Sequence, residues 1–146
     1  MAKQKILLLS DDLRMHSGIA TQSKTIVMNT LHKYDWAQIA GAIKHPDEGK
    51  IMDMGESLEK DKGMTDVYLR LYPVSGYGSP ETLREVMALE KPDAILHYTD
   101  PRFWTWLYQM EHELRREIPI FYYNIWDDLP YPRWNEPFYE SCDLIM

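Results

Sequence analysis

Polar residues with chemical potential fall in this chain at the ends of short apolar runs. Asp11 and Asp12 follow Lys5–Ser10, and Arg14, His16, Ser17 and Gly18 complete the same loop. An adjacent acid pair in such a place suits a ligand such as magnesium, and it equally suits a polar loop that closes a buried strand. Ser17-Gly18 precedes an amphipathic stretch, where the free N–H groups of a first helical turn accept an anion. Gly18 would let a ligand approach the backbone closely, or it would serve packing alone. Arg14 and His16 favour the anion, and Asp11 and Asp12 oppose it. His97 ends a second apolar run, where a satisfied half-buried histidine and a catalytic one are both compatible with the pattern. Asp100 is either a helix cap or a site residue. Asn124, Trp126, Asp127 and Asp128 form a polar and aromatic loop suited to a sugar or another polar ligand, and suited also to an ordinary turn. No GxGxxG or GxxxxGK[ST] run occurs. His97, His112 and the single Cys142 lack metal-ligand spacing, so no metal is expected.

Those residues need elements to hold them. Residues 5–9 are a continuous apolar run after one charged residue, Lys5, which indicates a strand covered on both faces. A helix is expected from about Ile19 to Lys33, capped by Ser17, with Ile19, Ser23, Ile26, Val27, Thr30 and Tyr34 on one face. Lys33 would complement its last turn. Residues 36–43 read as a second strand whose Ala and Gly residues admit a closely packed helix. Residues 44–66 read as a long loop or insertion, with a short helix near Met54–Lys60. Residues 67–72 read as a third strand at a sheet edge. Ser79 and Pro80 open a helix that runs to about Glu90. Residues 93–98 are a fourth strand, and Asp100-Pro101 start a helix to Arg116. That helix has Phe103, Leu107, Met110 and Leu114 on its stripe, and Glu111 pairs with Arg115. Trp104, Trp106 and Tyr108 widen the stripe enough to stack a ligand or meet a second domain, with core packing expected for at least one of them. Residues 118–123 are a fifth strand, 136–141 a short helix, and Asp143 opens a sixth strand.

This alternation predicts an α/β fold: one open, mostly parallel sheet with helices on both faces, Rossmann-like, spanning residues 1–146 as one domain. With the doubly wound order 3-2-1-4-5-6, the loops at Asp11–Gly18 and Thr99–Pro101 share a crevice. The unfinished strand at Asp143–Met146 leads us to expect the N-terminal domain of a longer protein.

Sixteen basic and 23 acidic residues give a net charge of -7, so nucleic acid is not an expected partner. No stretch reaches the ~20 apolar residues of a membrane span. The lone cysteine suits a reducing, cytoplasmic setting. Tyrosine, tryptophan and methionine number 10, 5 and 9, and exposed members of that set would support self-association. A receiver module resembles the chain in size and in its acid pair. It would require an aspartate where Tyr72-Pro73 stands and a lysine where Tyr123-Asn124 stands.

Ser17–Val27 after a short first strand resembles the N-terminal domain of GT-B glycosyltransferases of retaining family 4. Pro92–Pro101 resembles that family's fourth strand and following loop, Ile118–Asn124 its fifth strand, and Ser141–Met146 the run before its serine-rich turn. The resemblance implies half of a GT-B architecture that binds a sugar or glycan acceptor, with Gly18 near the donor phosphates. A nucleotide-sugar donor would be a substrate, bound mainly by a C-terminal domain carrying Glu-x7-Glu, and no cofactor is implied. The family often has a histidine after strand five, where this chain has Asn124. Asp100, Asn124 and Asp127 would hold acceptor hydroxyls, and the chain alone would be inactive. The alternative is a non-catalytic receiver-like or flavodoxin-like binding module.

Overall fold

The structure, a computed structural model, describes residues 2–42, 46, 48–126 and 129–146. It is a Rossmann-like α/β fold. The elements run β1 (Gln4–Asp11), α1 (Gly18–Thr30), β2 (Tyr34–Gly41), β3 (Met52–Asp53), α2 (Gly55–Lys62), β4 (Leu69–Pro73), α3 (Pro80–Glu90) and β5 (Ala94–Tyr98). A 3-10 turn (Pro101–Trp104) then leads into α4 (Thr105–Gln109), α5 (Glu111–Leu114) and β6 (Ile120–Tyr122). A second 3-10 turn (Arg133–Asn135), α6 (Glu136–Glu140) and β7 (Leu144–Ile145) follow.

The sheet order is β3-β4-β2-β1-β5-β6-β7. Every pairing is parallel except that of β3 with β4. Without β3 this is the order 3-2-1-4-5-6 expected from sequence, and it differs from the flavodoxin-like order 2-1-3-4-5. Alternation along β1 builds both layers. Leu7 and Leu9 enter the core shared with Leu83, Val86, Leu107 and Leu114, whereas Leu8 joins Val27, Leu31, Leu58 and Leu71 on the opposite face. Helices α3, α4 and α5 thus cover one face, and α1 and α2 cover the other.

Local chemistry fixes the helix starts. The Ser17 Oγ accepts from Ala20 N at 3.1 Å, Ser79 Oγ from Thr82 N at 3.3 Å, and Asp100 Oδ1 from Arg102 N at 2.9 Å. Arg115 donates to Glu111 at 3.1 Å, the pair expected on that helix.

Several expectations need correction. Helix α1 stops at Thr30, so Lys33 lies beyond its last turn; of the expected face Ser23 and Val27 are buried, Ile19 and Ile26 pack partly buried beside them, and Ala20 joins them. The stretch 44–66 contains β3, which pairs Met52 with Leu71 and Asp53 with Arg70 and takes the edge from β4. An Asp53–Arg70 ion pair at 3.5 Å accompanies that bridge. At Gly41 a loop, not a helix, packs closest. A Cβ there would lie 2.9 Å from Gly76 O and 3.0 Å from Tyr77, so only glycine fits. The expected helix to Arg116 is broken at Trp104 and Met110. The break drives Trp104 into the core at 0% exposure and leaves Phe103 outside at 56%. Trp104 and Tyr108 take the core-packing role expected for at least one of the three aromatics, and Trp106 packs partly buried against them.

Candidate functional site

The strand order reverses between β1 and β5, so their carboxyl ends open a crevice. The β1 loop is bolted to the sheet by Gln38, fully buried in β2. Its Nε2 donates to Asp11 O at 2.7 Å, and its Oε1 accepts from Leu13 N at 3.2 Å. This clamp was not legible in the sequence, where Gln38 is one polar residue within a strand.

The acid pair divides. Asp12 is 1% exposed, and its carboxylate is gripped by Arg14 through Nε at 3.0 Å and Nη2 at 2.8 Å, with Arg14 N adding a bond at 2.8 Å. That geometry commits Asp12 to shaping the loop. Asp11 instead ends β1, is 8% exposed and accepts from Thr99 Oγ1 at 3.3 Å. Burial raises its pKa, and the Thr99 bond opposes the rise. Tyr77 lies close by. Burial first, then the carboxylates of Asp11 and Asp100, hold its hydroxyl above the usual phenol range. Phe103 stacks on Tyr77 with centroids 5.3 Å apart.

His97 lies beneath the crevice and is completely buried among Trp104, Tyr108 and Tyr122. Its Nδ1 is 2.6 Å from Tyr108 Oη. Burial depresses its pKa to about 3 against the pull of Asp100, so at neutral pH the ring is uncharged. His97 has no exposed surface, and among the described residues its Nε2 has no hydrogen-bond partner.

Asp100 and Asn124 do converge. With Pro101, Tyr122, Trp126 and Asn135 they line a cavity of about 210 Å³ at the carboxyl ends of β5 and β6. The Asp100 carboxylate is held by Arg102 Nε at 3.0 Å, a bond that keeps its pKa below the ordinary carboxylate value. Asn124 Oδ1 accepts from Trp126 N at 3.2 Å and from Tyr139 Oη at 3.5 Å. Asn135, absent from the residues singled out by sequence, is 4% exposed and lines the same cavity. Trp126 and Trp134 meet edge to face at 5.8 Å beside it. Asp127 and its neighbour Asp128 lie outside the described residues.

His16 is not brought to this cavity. It lines a groove of about 470 Å³ between α1 and α2, with Arg14, Lys24 and Lys62. Gly18 is exposed at the start of α1, and a Cβ there would meet nothing within 4 Å. Packing therefore does not demand glycine at this position. A groove of about 480 Å³ beside α3, lined by Lys50, Ser79 and Thr82 among others, contains none of the predicted residues.

Among the described residues no three His, Cys, Asp or Glu side chains gather as a metal site, and no helix is long and apolar enough to cross a membrane. Comparison with protein families, curated proteins and solved structures finds no match to this chain.

Proposed function

We propose that this chain is the acceptor-binding half of a glycosyltransferase that moves a sugar from a nucleotide-sugar donor to a hydroxyl acceptor. The observation that carries the reading is the meeting of Asp100 and Asn124, from the ends of adjacent strands β5 and β6, in one small cavity rimmed by Trp126. Polar groups that fix hydroxyls beside an indole suit a saccharide. The strand order adds support, because ligands of such sheets bind outside the carboxyl ends at the reversal.

In this reading Asp100 and Asn124 orient the acceptor. Asp11 and Tyr77 form the crevice wall next to them. The open space over Gly18 admits the donor phosphates, whose charge is stabilised by the N–H groups opening α1 and by basic groups of a second domain. No residue of this chain is assigned as general base, and no metal or cofactor is invoked. The nucleotide is held mainly by that second domain, so the chain alone is inactive. Exposed Phe103 and Trp134 offer apolar surface to a second domain or second copy. Burial pushes the half-buried Cys142 thiol up to a pKa of about 11, so it stays protonated at neutral pH.

The experiment is a transfer assay on the complete gene product, with a panel of nucleotide sugars and mono- and disaccharide acceptors and detection of the product mass. Transfer from at least one donor supports the reading. Absence of transfer across the panel contradicts it.

A further inference from the structure

Asn135, one of the residues lining the cavity beside Asp100, carries an unmet hydrogen-bond acceptor. Asn135 sits at the end of the second 3-10 turn and is 4% exposed. Its Nδ2 donates to Tyr139 Oη at 3.4 Å, but among the described residues its buried Oδ1 has no partner. A buried amide oxygen left unpaired is costly, and native chains retain one where water or a ligand completes it. The amide is oriented by a relay: Asn135 Nδ2 bonds Tyr139, and the Tyr139 hydroxyl in turn bonds Asn124 Oδ1. The relay assigns the free atom as an oxygen, so the missing partner is a donor.

The surroundings define that donor. At about 210 Å³ the cavity is smaller than the roughly 300–1,000 Å³ of drug-sized sites, so it takes one ring-sized group. A cation would also donate and would also lie well on an indole. Charge argues against it, because the Asp100 carboxylate is already neutralised by the Arg102 fork, with Nε at 3.0 Å from both carboxylate oxygens. A neutral polyol remains, its hydroxyls meeting the polar wall and its C–H face resting on Trp126.

We propose that Asn135 Oδ1 accepts a hydroxyl of a single pyranose, seated between Asn135, Asn124 and the Trp126 indole. This deepens the reading of the same cavity as an acceptor site and names its occupant as one neutral sugar ring. The occupancy itself needs no donor, nucleotide or second domain.

The test titrates methyl glycosides of glucose, galactose and mannose, and choline as the cationic control, into the full chain. Binding is read from ligand-observed NMR and tryptophan fluorescence. Wild type should bind at least one glycoside at millimolar Kd and choline no better than solvent. Asn135→Leu should weaken that glycoside at least tenfold. Trp126→Ala, a change at a residue 38% exposed, should do the same with an unchanged Tm, which guards against a folding defect in the first variant. Equal binding by wild type and both variants, no binding of any glycoside, or preference for choline would each overturn the assignment. Glycoside binding without transfer by the complete gene product would leave the pyranose site standing and remove the transferase reading. Transfer without binding by this cavity would do the reverse.

Discussion

The Thr99 hydroxyl donates to the Asp11 carboxylate at 3.3 Å, joining the ends of β1 and β5 across the point where strand order reverses. The bond is buried, and desolvation outweighs it, so the Asp11 pKa is raised. The folded state therefore binds the Asp11 proton more tightly than the unfolded chain. Stability from this group is greatest below the unfolded value of 3.8 and is lost as pH rises through the folded pKa. Asp11→Asn, which keeps an oxygen for Thr99, is expected to raise Tm at pH 7. The gain should shrink as pH falls below the folded pKa, as measured by thermal melts from pH 7 to pH 3. A lower Tm at pH 7 would contradict this account of Asp11.

His97 gives a slope in a different window. Its folded pKa of about 3 lies below the ordinary 6.5, so the unfolded chain takes up the proton first as pH falls. Its contribution is fully present above pH 6.5 and declines towards pH 3, by about 1.4 kcal/mol per pH unit. Urea unfolding of wild type and His97→Phe should give ΔG–pH curves whose difference flattens above pH 6.5 and narrows below it. The level of the variant's curve also includes the loss of the His97–Tyr108 hydrogen bond, so the slope is the informative quantity.

Glu90 is the ionic centre at the other end of the sheet. It is 3% exposed and accepts from Tyr68 at 2.6 Å, Lys5 at 2.9 Å and Tyr72. Burial opposes its ionisation, but those bonds and the Lys5 charge win, and its pKa is lowered. That stability is present above the unfolded value of 4.5 and is lost as pH falls through the folded pKa. Glu90→Gln is expected to cost on the order of 3 kcal/mol at pH 7, because it leaves a half-buried ammonium without its partner. Chemical denaturation measures it directly.

Gly18 separates a ligand role from a packing role. A Cβ there meets nothing within 4 Å and the position opens a helix, so Gly18→Ala should leave stability unchanged or raise it by up to about 1 kcal/mol. If the donor phosphates approach this backbone, the same variant in the complete gene product should raise the donor KM several-fold. An unchanged donor KM would return Gly18 to an ordinary first-turn residue.

The fold was largely legible because its signals are local. Continuous apolarity at Leu7–Leu9, caps at Ser17, Ser79 and Asp100, and Pro80 and Pro101 in first turns all work within a few residues. What escaped depends on distant partners. The two-residue β3 has no periodicity and exists through Arg70 and Leu71. Phe103 and Trp104 exchanged their expected environments because a 3-10 turn rotates by a different angle per residue than the helix assumed. Of the site, Asp100 and Asn124 could be proposed from strand ends, whereas Asp12 was spent on Arg14 and His16 faced another groove. Asn135 left no trace in sequence, because its significance lies in an atom that folding buries and leaves unbonded.

The division of labour between two halves is tested most directly by steady-state kinetics of the complete gene product carrying Asn124→Ala. The account predicts a rise of about tenfold or more in acceptor KM with the donor KM unchanged, since about 1.4 kcal/mol of acceptor binding corresponds to tenfold. A raised donor KM with an unchanged acceptor KM would contradict it.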